Sequence, residues 1–422
     1  MTNSDHDQKK AVQSIQKNLL GKKLSYKEIY NLMDQISHEK LSDILTTYFV
    51  AASFKEGFTH EELYHFTRAM VETGNRMHFK GIVADKHSIG GVSGTRASMI
   101  IVPIIAAAGY KIPKISSRAI TTPAGTADAM EVFAGVEFSI EALEHIVNTV
   151  GGCICWNGRL GIAPADDVLI HIEEPLAFES FDKIIVSVMA KKIAASTTHL
   201  VLDIPIGATM KVVHQKDAEK VARKFQMLGS KFGIHVTTTI NKTKQPAGYG
   251  IGPVLEARDV LRVLEQTEDR PPELEERSLY LAGILLDMCF KEAHIKKHGI
   301  DEARSILQSG AALKKFKEIV KAQGGSSHIS AATMKLLHRK HVVYATSSGY
   351  VKSINNHNLN SIAKMLGAPN DKHAGMYLLK KIGDVVERGE PILEFYAKDS
   401  HLLREAEATL QMFPIHQLDT YI

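Results

Sequence analysis

From Ile82 onward the chain alternates short apolar runs with helix-length stretches, and this alternation constrains the fold more than any other feature. The runs Ile82 to Ala84, Ile112 to Ile115, Cys153 to Trp156, Leu200 to Ile204 and Val236 to Ile240 predict strands. Helical stretches, and not tight hairpins, separate them, which argues for a largely parallel sheet covered on both faces. Ligands of such α/β sheets gather at the carboxyl ends of the strands. Lys86 to Gly91 and Ser116 to Thr122 stand at those ends.

The two segments follow one pattern. Lys86, Ser88 and the pair Gly90-Gly91 come just before a long apolar segment, Met99 to Ala108, and a hydroxyl-rich loop then runs from Ser116 to Thr126. The order reads strand, glycine turn, helix, strand, polar turn, helix. Both turns open onto helix N-termini, where unpaired N–H groups and the helix dipole favour an anion. Phosphate is the expected ligand.

Upstream the pattern is helical. Ser25 and Glu28 form a capping box ahead of Ile29, Leu32, Met33 and Ile36, and a second helix follows around Leu41, Leu45, Tyr48, Phe49 and Ala52. A third opens at Thr59 with Glu62, carries Leu63, Phe66 and Met70, and stops at Gly74. The excursion from Gly158 to Ser196 contains GRLGIAPADD and the helix-like FDKIIVSVMAKKIAA, which is expected to join these helices so that two lobes face each other across a cleft. The glycine-rich TKQPAGYGIGPVLEARDVL leads into a helix near Leu255, and its glycines fit either a plain turn or a bound ion. Helix is expected again over 277–290 and 301–322.

At 422 residues, 44% hydrophobic and 23% charged, the chain has room for two or three domains with cores of their own. Lys and Arg total 51 against 47 Asp and Glu, and they are scattered, so nucleic acid is not the expected partner. Three cysteines, Cys153, Cys155 and Cys289, make no disulfide framework or zinc motif, and a reducing cytoplasm is the expected location. The opening MTNSDHDQKK does not resemble a signal peptide, and no apolar run reaches membrane-spanning length.

The texture turns β-like at VVYATSSGYVKSI, and HAGMYLLKKIGDVVERGEPILEFYA alternates short strands with glycine turns. Gly383-Asp384-Val385-Val386 followed by Gly389-Glu390-Pro391 resembles the turn region of biotinyl and lipoyl carrier domains. The carriers' Met-Lys acceptor pair is missing here, so the segment reads as a structural module. The domains expected are a helical one over 1–78, joined by about 160–196; an α/β phosphate-binding one over 79–159 and 197–335; and a β-rich α+β one over 336–422.

DKHSIGG, ISSRAITTPAGTAD, the APAD segment and SVMAKK together resemble, in order, the thymidine and pyrimidine nucleoside phosphorylases. The likeness runs from about Lys22 to the C-terminus. It implies a helical domain and an α/β domain that close on each other, a small β-rich C-terminal domain, and assembly as a homodimer or larger. It also implies phosphorolysis, in which inorganic phosphate attacks the anomeric carbon of a nucleoside and the base leaves; phosphate is a co-substrate, and neither cofactor nor metal is expected.

Two departures separate this chain from the thymidine enzymes. Their Leu-Tyr-Ala-Leu-Arg run is replaced by Leu169-Ile170-His171-Ile172-Glu173, and the glycines and histidine of their SGRGLGHTGGT loop by Ser117, Ala119, Thr121 and Thr122. KHSIGG, SSRAIT, AGTAD, APADD, IE-x-PL, SVMAKK and DIP-x-G resemble the AMP phosphorylases instead. Those enzymes usually carry an extra N-terminal domain, and none is expected within the residues ahead of the helix at Ser25. The resemblance implies phosphate contacts from Lys86, Ser88, Gly90, Ser98, Ser116 and Thr126. It places the nucleotide on Gly91, Ser117, Arg118, Ala119, Ile120, Thr121, Thr122, Ser187 and Lys211, with Lys191 at the thymidine branch's base-contacting lysine. The branch's proton-donating aspartate aligns with Glu179, which is expected to act as the general acid ahead of His87, the other candidate.

The expected substrate is therefore a nucleoside 5′-monophosphate, chiefly AMP, with thymidine as the alternative. An anthranilate-type phosphoribosyltransferase, which would need acidic ligands for magnesium pyrophosphate near the turn, and a non-catalytic phosphate-binding protein are the other readings.

Overall fold

The computed structural model of the protein describes residues 3–54, 57–173 and 180–419. Helices α1 (Asn3–Leu19), α2 (Tyr26–Ser37), α3 (Asp43–Phe54) and α4 (His60–Glu72) come first. Then follow β1 (Ala84–Ser88), α5 (Ala97–Ala107), β2 (Ile112–Ser116), α6 (Thr126–Met130), α7 (Ile140–Val150) and β3 (Gly152–Trp156). Helices α8 (Pro164–Glu173) and α9 (Phe181–Ala194) precede β4 (His199–Ile206), α10 (Gln215–Lys231), β5 (His235–Lys242) and β6 (Gly250–Ile251). A helical run, α11 (Pro253–Glu265), α12 (Pro272–Glu292), α13 (Gly299–Gln308) and α14 (Ala311–Ala322), leads to the last part. That part holds β7 (Arg339–Tyr344), β8 (Gly349–Ile354), α15 (Asn356–Met365), β9 (Gly375–Leu378), β10 (Val385–Val386), β11 (Pro391–Ala397), α16 (Ser400–Met412) and β12 (His416–Asp419).

The chain divides into two compact units. One is Met1–Val83, Asn157–Leu200 and Glu219–Thr237; the other is Ala84–Trp156, Val201–Ala218 and Thr238–Ile422. In the first, the Ser25 side chain accepts from the Glu28 amide while the Glu28 carboxylate accepts from the Ser25 amide, and Thr59 and Glu62 repeat the arrangement. Each box closes the orphan amides of a helix start, so α2 and α4 begin where the sequence says they should. Ile29, Leu32, Met33 and Ile36 fall on one buried face of α2, each worth roughly 1.5–3 kcal/mol of burial. Helix α4 packs on α2 and α9, and α8 on α2 and α3, within this one compact unit. Helix α1 is an addition. Its buried positions are Ala11, Ser14 and Ile15, too few apolar residues to register as a period.

The α/β sheet strands run in the orders β1-β4-β5 and β2-β3, the latter pair parallel. The Ala84 amide donates to the Lys111 carbonyl at 2.8 Å and brings β1 beside the start of β2. All eight residues of β4, HLVLDIPI, are buried, as a central strand with both faces covered requires. Helix α5 is apolar all round and packs against α12 and α14.

Two strands differ from the sequence reading. Strand β1 starts at Ala84 and runs on through Ser88, so Lys86 stands on a strand and not in a turn; it is 5% exposed. An apolar-run criterion stops at the first charged residue and cannot see this. The glycine-rich segment also gives more than a turn, because Gly250–Ile251 pairs antiparallel with β9. The Asp259 carboxylate holds it there, accepting the amides of Tyr249 and Gly250 at 2.7 Å each.

The last part forms sheets β6-β9-β11-β7 and β10-β8-β12 around a core that includes Val351, Leu359, Ile362, Met376, Leu393 and Phe395. Cys153, Cys155 and Cys289 are free and buried. Among the described residues no helix is long and apolar enough to cross a membrane.

Candidate active site

In the second unit a buried carboxylate organises the end of the sheet. Asp203, 3% exposed on β4, accepts the Ser88 hydroxyl at 3.0 Å, Thr239 Oγ1 at 3.3 Å and Asn241 Nδ2 at 3.2 Å, and pairs with the Arg277 guanidinium of α12. The Ile89 amide donates to its carbonyl at 2.8 Å. Lys86 lies in the same neighbourhood. Burial pushes its ammonium down to about 8; Asp203 pulls it back up, while Arg277 and Arg96 push the same way as burial. Among the described residues Lys86 Nζ has no carboxylate within ion-pair distance. A lysine so placed is short of negative charge, and an incoming anion would supply it.

The first turn leads from this strand to α5. Arg96, its N-cap residue, pairs with buried Glu256, and no side chain caps the helix. The leading amides of α5 are therefore not taken by a cap, and Ser98 is buried in its first turn. Gly90 has φ +110°, and a Cβ there would lie 3.3 Å from the Cβ of Lys211. Gly91 lies so close to the second turn that a Cβ would stand 2.4 Å from Thr122 Cγ2 and 3.8 Å from Thr121 Oγ1. The fold thus brings Gly90, Gly91, Lys211, Thr121 and Thr122 together.

The second turn has a frame of its own. It opens onto α6, a single turn of helix whose start is already served by Asp128, since that carboxylate accepts the amides of Ala119 at 2.7 Å and Gly125 at 2.8 Å. Asp128 thus takes the amide of the N-cap residue Gly125 and that of Ala119 within the loop. Arg118 donates to Glu131 at 2.8 and 2.9 Å, to Asp128 and Glu137 at 3.3 Å each, and lies over the Trp156 ring. These bonds hold the Glu131 carboxyl down at about 2. The guanidinium is engaged by these carboxylates, and Ser117, Ile120 and Thr121 are what the loop exposes. Ser116 ends β2, and Thr126 is buried at the start of α6.

In the first unit, Ser187 Oγ donates to Asp166 Oδ2 at 2.6 Å, and Lys191 Nζ lies 2.7 Å from the same oxygen. Both side chains come from α9, spaced one turn apart so that they share a face. Burial lowers Lys191, but Asp166 outweighs it and the ammonium sits above the usual lysine value. The neighbouring Asp167, which accepts from Asn157 at 3.0 Å, is pushed up to about 6 by burial. His87 lies on β1. Glu179 lies outside the described residues.

Asp203, Arg277, Asp128 and Asp166 are not singled out by sequence reasoning. A signal exists for one of them: an aspartate inside the apolar run LVLDIPI is costly unless it is paired. Arg277 and Asp166 act by touching residues distant in sequence, which no local pattern reports, whereas Asp128 serves its own helix start.

Comparisons with known proteins give the arrangement a context. Residues 12–74 match the description "Glycosyl transferase family, helical bundle domain", 80–313 "Glycosyl transferase family, a/b domain", and 350–412 "Pyrimidine nucleoside phosphorylase C-terminal domain". "AMP phosphorylase 1" of Archaeoglobus fulgidus is 42% identical over 398 residues, 94% of this chain and 78% of that protein. A protein of Bradyrhizobium diazoefficiens named "Putative thymidine phosphorylase" is 42% identical over 392 residues, 92% of this chain and 75% of that one. Among solved structures, anthranilate phosphoribosyltransferase from Thermus thermophilus superposes with a TM-score of 0.59 at 19% identity, covering 74% of this chain and 99% of that one, a likeness of fold. By its three matched domains and its relatives, the chain belongs to the thymidine and pyrimidine nucleoside phosphorylase family of glycosyl transferases and is a pentosyltransferase.

Proposed function

We propose that the enzyme phosphorolyses nucleoside 5′-monophosphates of the AMP type, releasing the free base and a pentose 1-phosphate that keeps its 5′-phosphate. The observation that carries this reading is the contact of the two turns at Gly91 and Thr122. A nucleotide undergoing phosphorolysis presents two phosphate groups on one sugar, the attacking one at C1′ and its own at C5′. Two neighbouring polar turns suit that pair, and a nucleoside would use one of them.

In this reading Lys86, Ser88, Ser98, Ser116, Thr126 and the backbone at Gly90 hold inorganic phosphate, the co-substrate. One phosphate oxygen forms a bond to C1′ as the bond from C1′ to the base nitrogen breaks. The base leaves with the bonding electrons and takes a proton from Glu179, with His87 the other candidate donor. The loop 117–122 takes the 5′-phosphate through backbone amides and the Ser117 and Thr121 hydroxyls, with Gly91 and Lys211 beside it. The displacement calls for no cofactor.

Relatives named for thymidine match as well as those named for AMP, so thymidine is kept as the second reading. Phosphate-dependent base release measured side by side with AMP, CMP, UMP, thymidine and uridine decides between them. Thymidine turnover far above every monophosphate would remove the first reading. For the donor, Glu179→Gln is expected to abolish turnover where His87→Ala only reduces it; the opposite order would reassign the proton.

Self-association through the helical unit belongs to the same proposal. Ile44 and Tyr48, one turn apart on α3, are 70% and 55% exposed, and Leu19 and Leu20 are exposed at 51% and 73%. Sedimentation is expected to show a dimer or larger, and a monomer at micromolar concentration would count against it.

A further inference from the structure

The described contacts of the second turn reach beyond the α/β part. Lys364, near the end of α15, donates from Nζ to the Ile120 carbonyl at 2.6 Å, at the middle of the 117–122 loop. Lys372, in the segment before β9, donates to Glu131 Oε2 at 2.6 Å, and Glu131 is the carboxylate that grips Arg118. Asn360, one turn before Lys364, accepts the hydroxyl of Ser93, which follows the glycine pair of the first turn. Asn360 and Lys364 thus touch the first and second turns, and Lys372 reaches the carboxylate that grips Arg118.

The stretch itself is well fixed. The Val254 amide donates to the Lys372 carbonyl at 3.1 Å, and a Cβ on Gly252 would stand 2.4 Å from the Ala374 carbonyl oxygen. Strand β6 adds to β9 in the same place. These contacts give the lysines a rigid base within the same compact unit as the loop. The loop, by contrast, is exposed at Ser117, Ile120 and Thr121, and its internal frame of Arg118 and Asp128 leaves the Ile120 carbonyl to be held from outside.

We infer that Lys364 is a positioning residue for the substrate loop, supplied by the C-terminal domain, and that it sets the enzyme's preference for substrates carrying a 5′-phosphate. That preference rests on the function proposed above; the anchoring of the loop does not. An ammonium on a carbonyl has two further N–H donors and a full positive charge, so it both fixes the loop backbone and favours an anion bound against it. Lys372 acts one step further back, through Glu131 and Arg118.

The test pairs kinetics with amide hydrogen exchange on the intact enzyme. Lys364→Ala is expected to raise KM for AMP about tenfold, the loss of one charge-assisted hydrogen bond, while KM for inorganic phosphate stays within about twofold. Exchange of a peptide covering 117–125 should speed up in the same variant, Lys364→Arg should restore most of both effects, and Lys372→Met should speed exchange as well. Unchanged exchange in Lys364→Ala would overturn the anchoring role. Faster exchange with KM for AMP and for a nucleoside raised equally would overturn the role in preference. If the wild-type enzyme turns over nucleosides and no monophosphate, the substrate reading and the preference fall together, and the exchange result still decides the anchor.

Discussion

The Ser88 hydroxyl donates to the Asp203 carboxylate at 3.0 Å, and the amide of the next residue, Ile89, donates to the Asp203 carbonyl at 2.8 Å. One aspartate therefore fixes both the backbone and the side chain of the KHSIGG segment. It does so while pairing with Arg277 and lying near Lys86, so it balances cations that would otherwise share a buried space. Asp203→Asn preserves the shape and removes the charge. Breaking a buried pair in this way is expected to cost about 3 kcal/mol of stability and to raise KM for phosphate, since Ser88 loses its acceptor. Chemical denaturation and phosphate-dependence curves measure the two effects; a stability change below about 0.5 kcal/mol would mean that the charge is not needed there.

Lys86 gives that balance a pH signature. Burial holds its ammonium down at about 8, so in the free enzyme the charge that attracts phosphate disappears as pH rises through that value. The kcat/KM for phosphate is expected to fall about tenfold per unit above pH 8. Stability moves the other way. The folded value lies below the unfolded value of about 10.4, so between the two the unfolded chain binds more protons and stability rises with pH. Lys86→Met should remove both dependences. A flat kcat/KM from pH 7 to about 9.5 would show that Lys86 stays charged or does not meet phosphate.

In the helical unit Asp166 and Asp167 are adjacent in sequence yet respond to acid in opposite senses. Burial raises Asp166, but Lys191, Lys183 and the Ser187 hydroxyl outweigh it, so its carboxyl is held below the ordinary range. Its contribution to stability is complete above the unfolded value and is lost as pH falls through the folded one. Asp167 is raised by burial to about 6, so its ionisation costs stability as pH climbs from the unfolded value through 6. Asp167→Asn keeps an acceptor for Asn157 and removes that cost. The variant is expected to match wild type near pH 4 and to be more stable by up to about 2 kcal/mol at pH 8, after allowance for partial exposure. Equal stability at both pH values would place Asp167 in contact with water.

These relationships mark how far the sequence can be read. Helices α2 and α4 are legible because their signals are local: a capping residue, its glutamate partner three positions on, and an apolar stripe. The alternation after Ile82 announces the parallel-sheet domain for the same reason. An apolar run places strand β1 short because the charged pair Asp85 and Lys86 continues it, and Ser88 at its end is held by a β4 aspartate more than a hundred positions away. Arg118 shows the limit most clearly. Its guanidinium bonds Glu131 and Glu137, partners that the spacing of its own segment does not reveal.

Gly91 permits a test of whether the contact between the two turns matters. The residue has no left-handed backbone angle, so the single obstacle to a side chain there is space. A Cβ would stand 2.4 Å from Thr122 Cγ2, whereas the next atoms, Thr122 Cβ and Thr121 Oγ1, are 3.7 and 3.8 Å away, at ordinary contact. Gly91→Ala is therefore expected to push the second turn off the first and to reduce kcat/KM for a monophosphate by about tenfold, in line with an overpacking cost of roughly 1–3 kcal/mol. Thr122→Ser removes the offending methyl and keeps the hydroxyl that donates to the Ala124 carbonyl at 2.9 Å. The double variant should regain most of the activity that Gly91→Ala loses, although each single change is neutral or harmful. Additive losses in the double variant would mean that the two turns do not touch at this point, and the adjacency of two anion pockets would lose its basis.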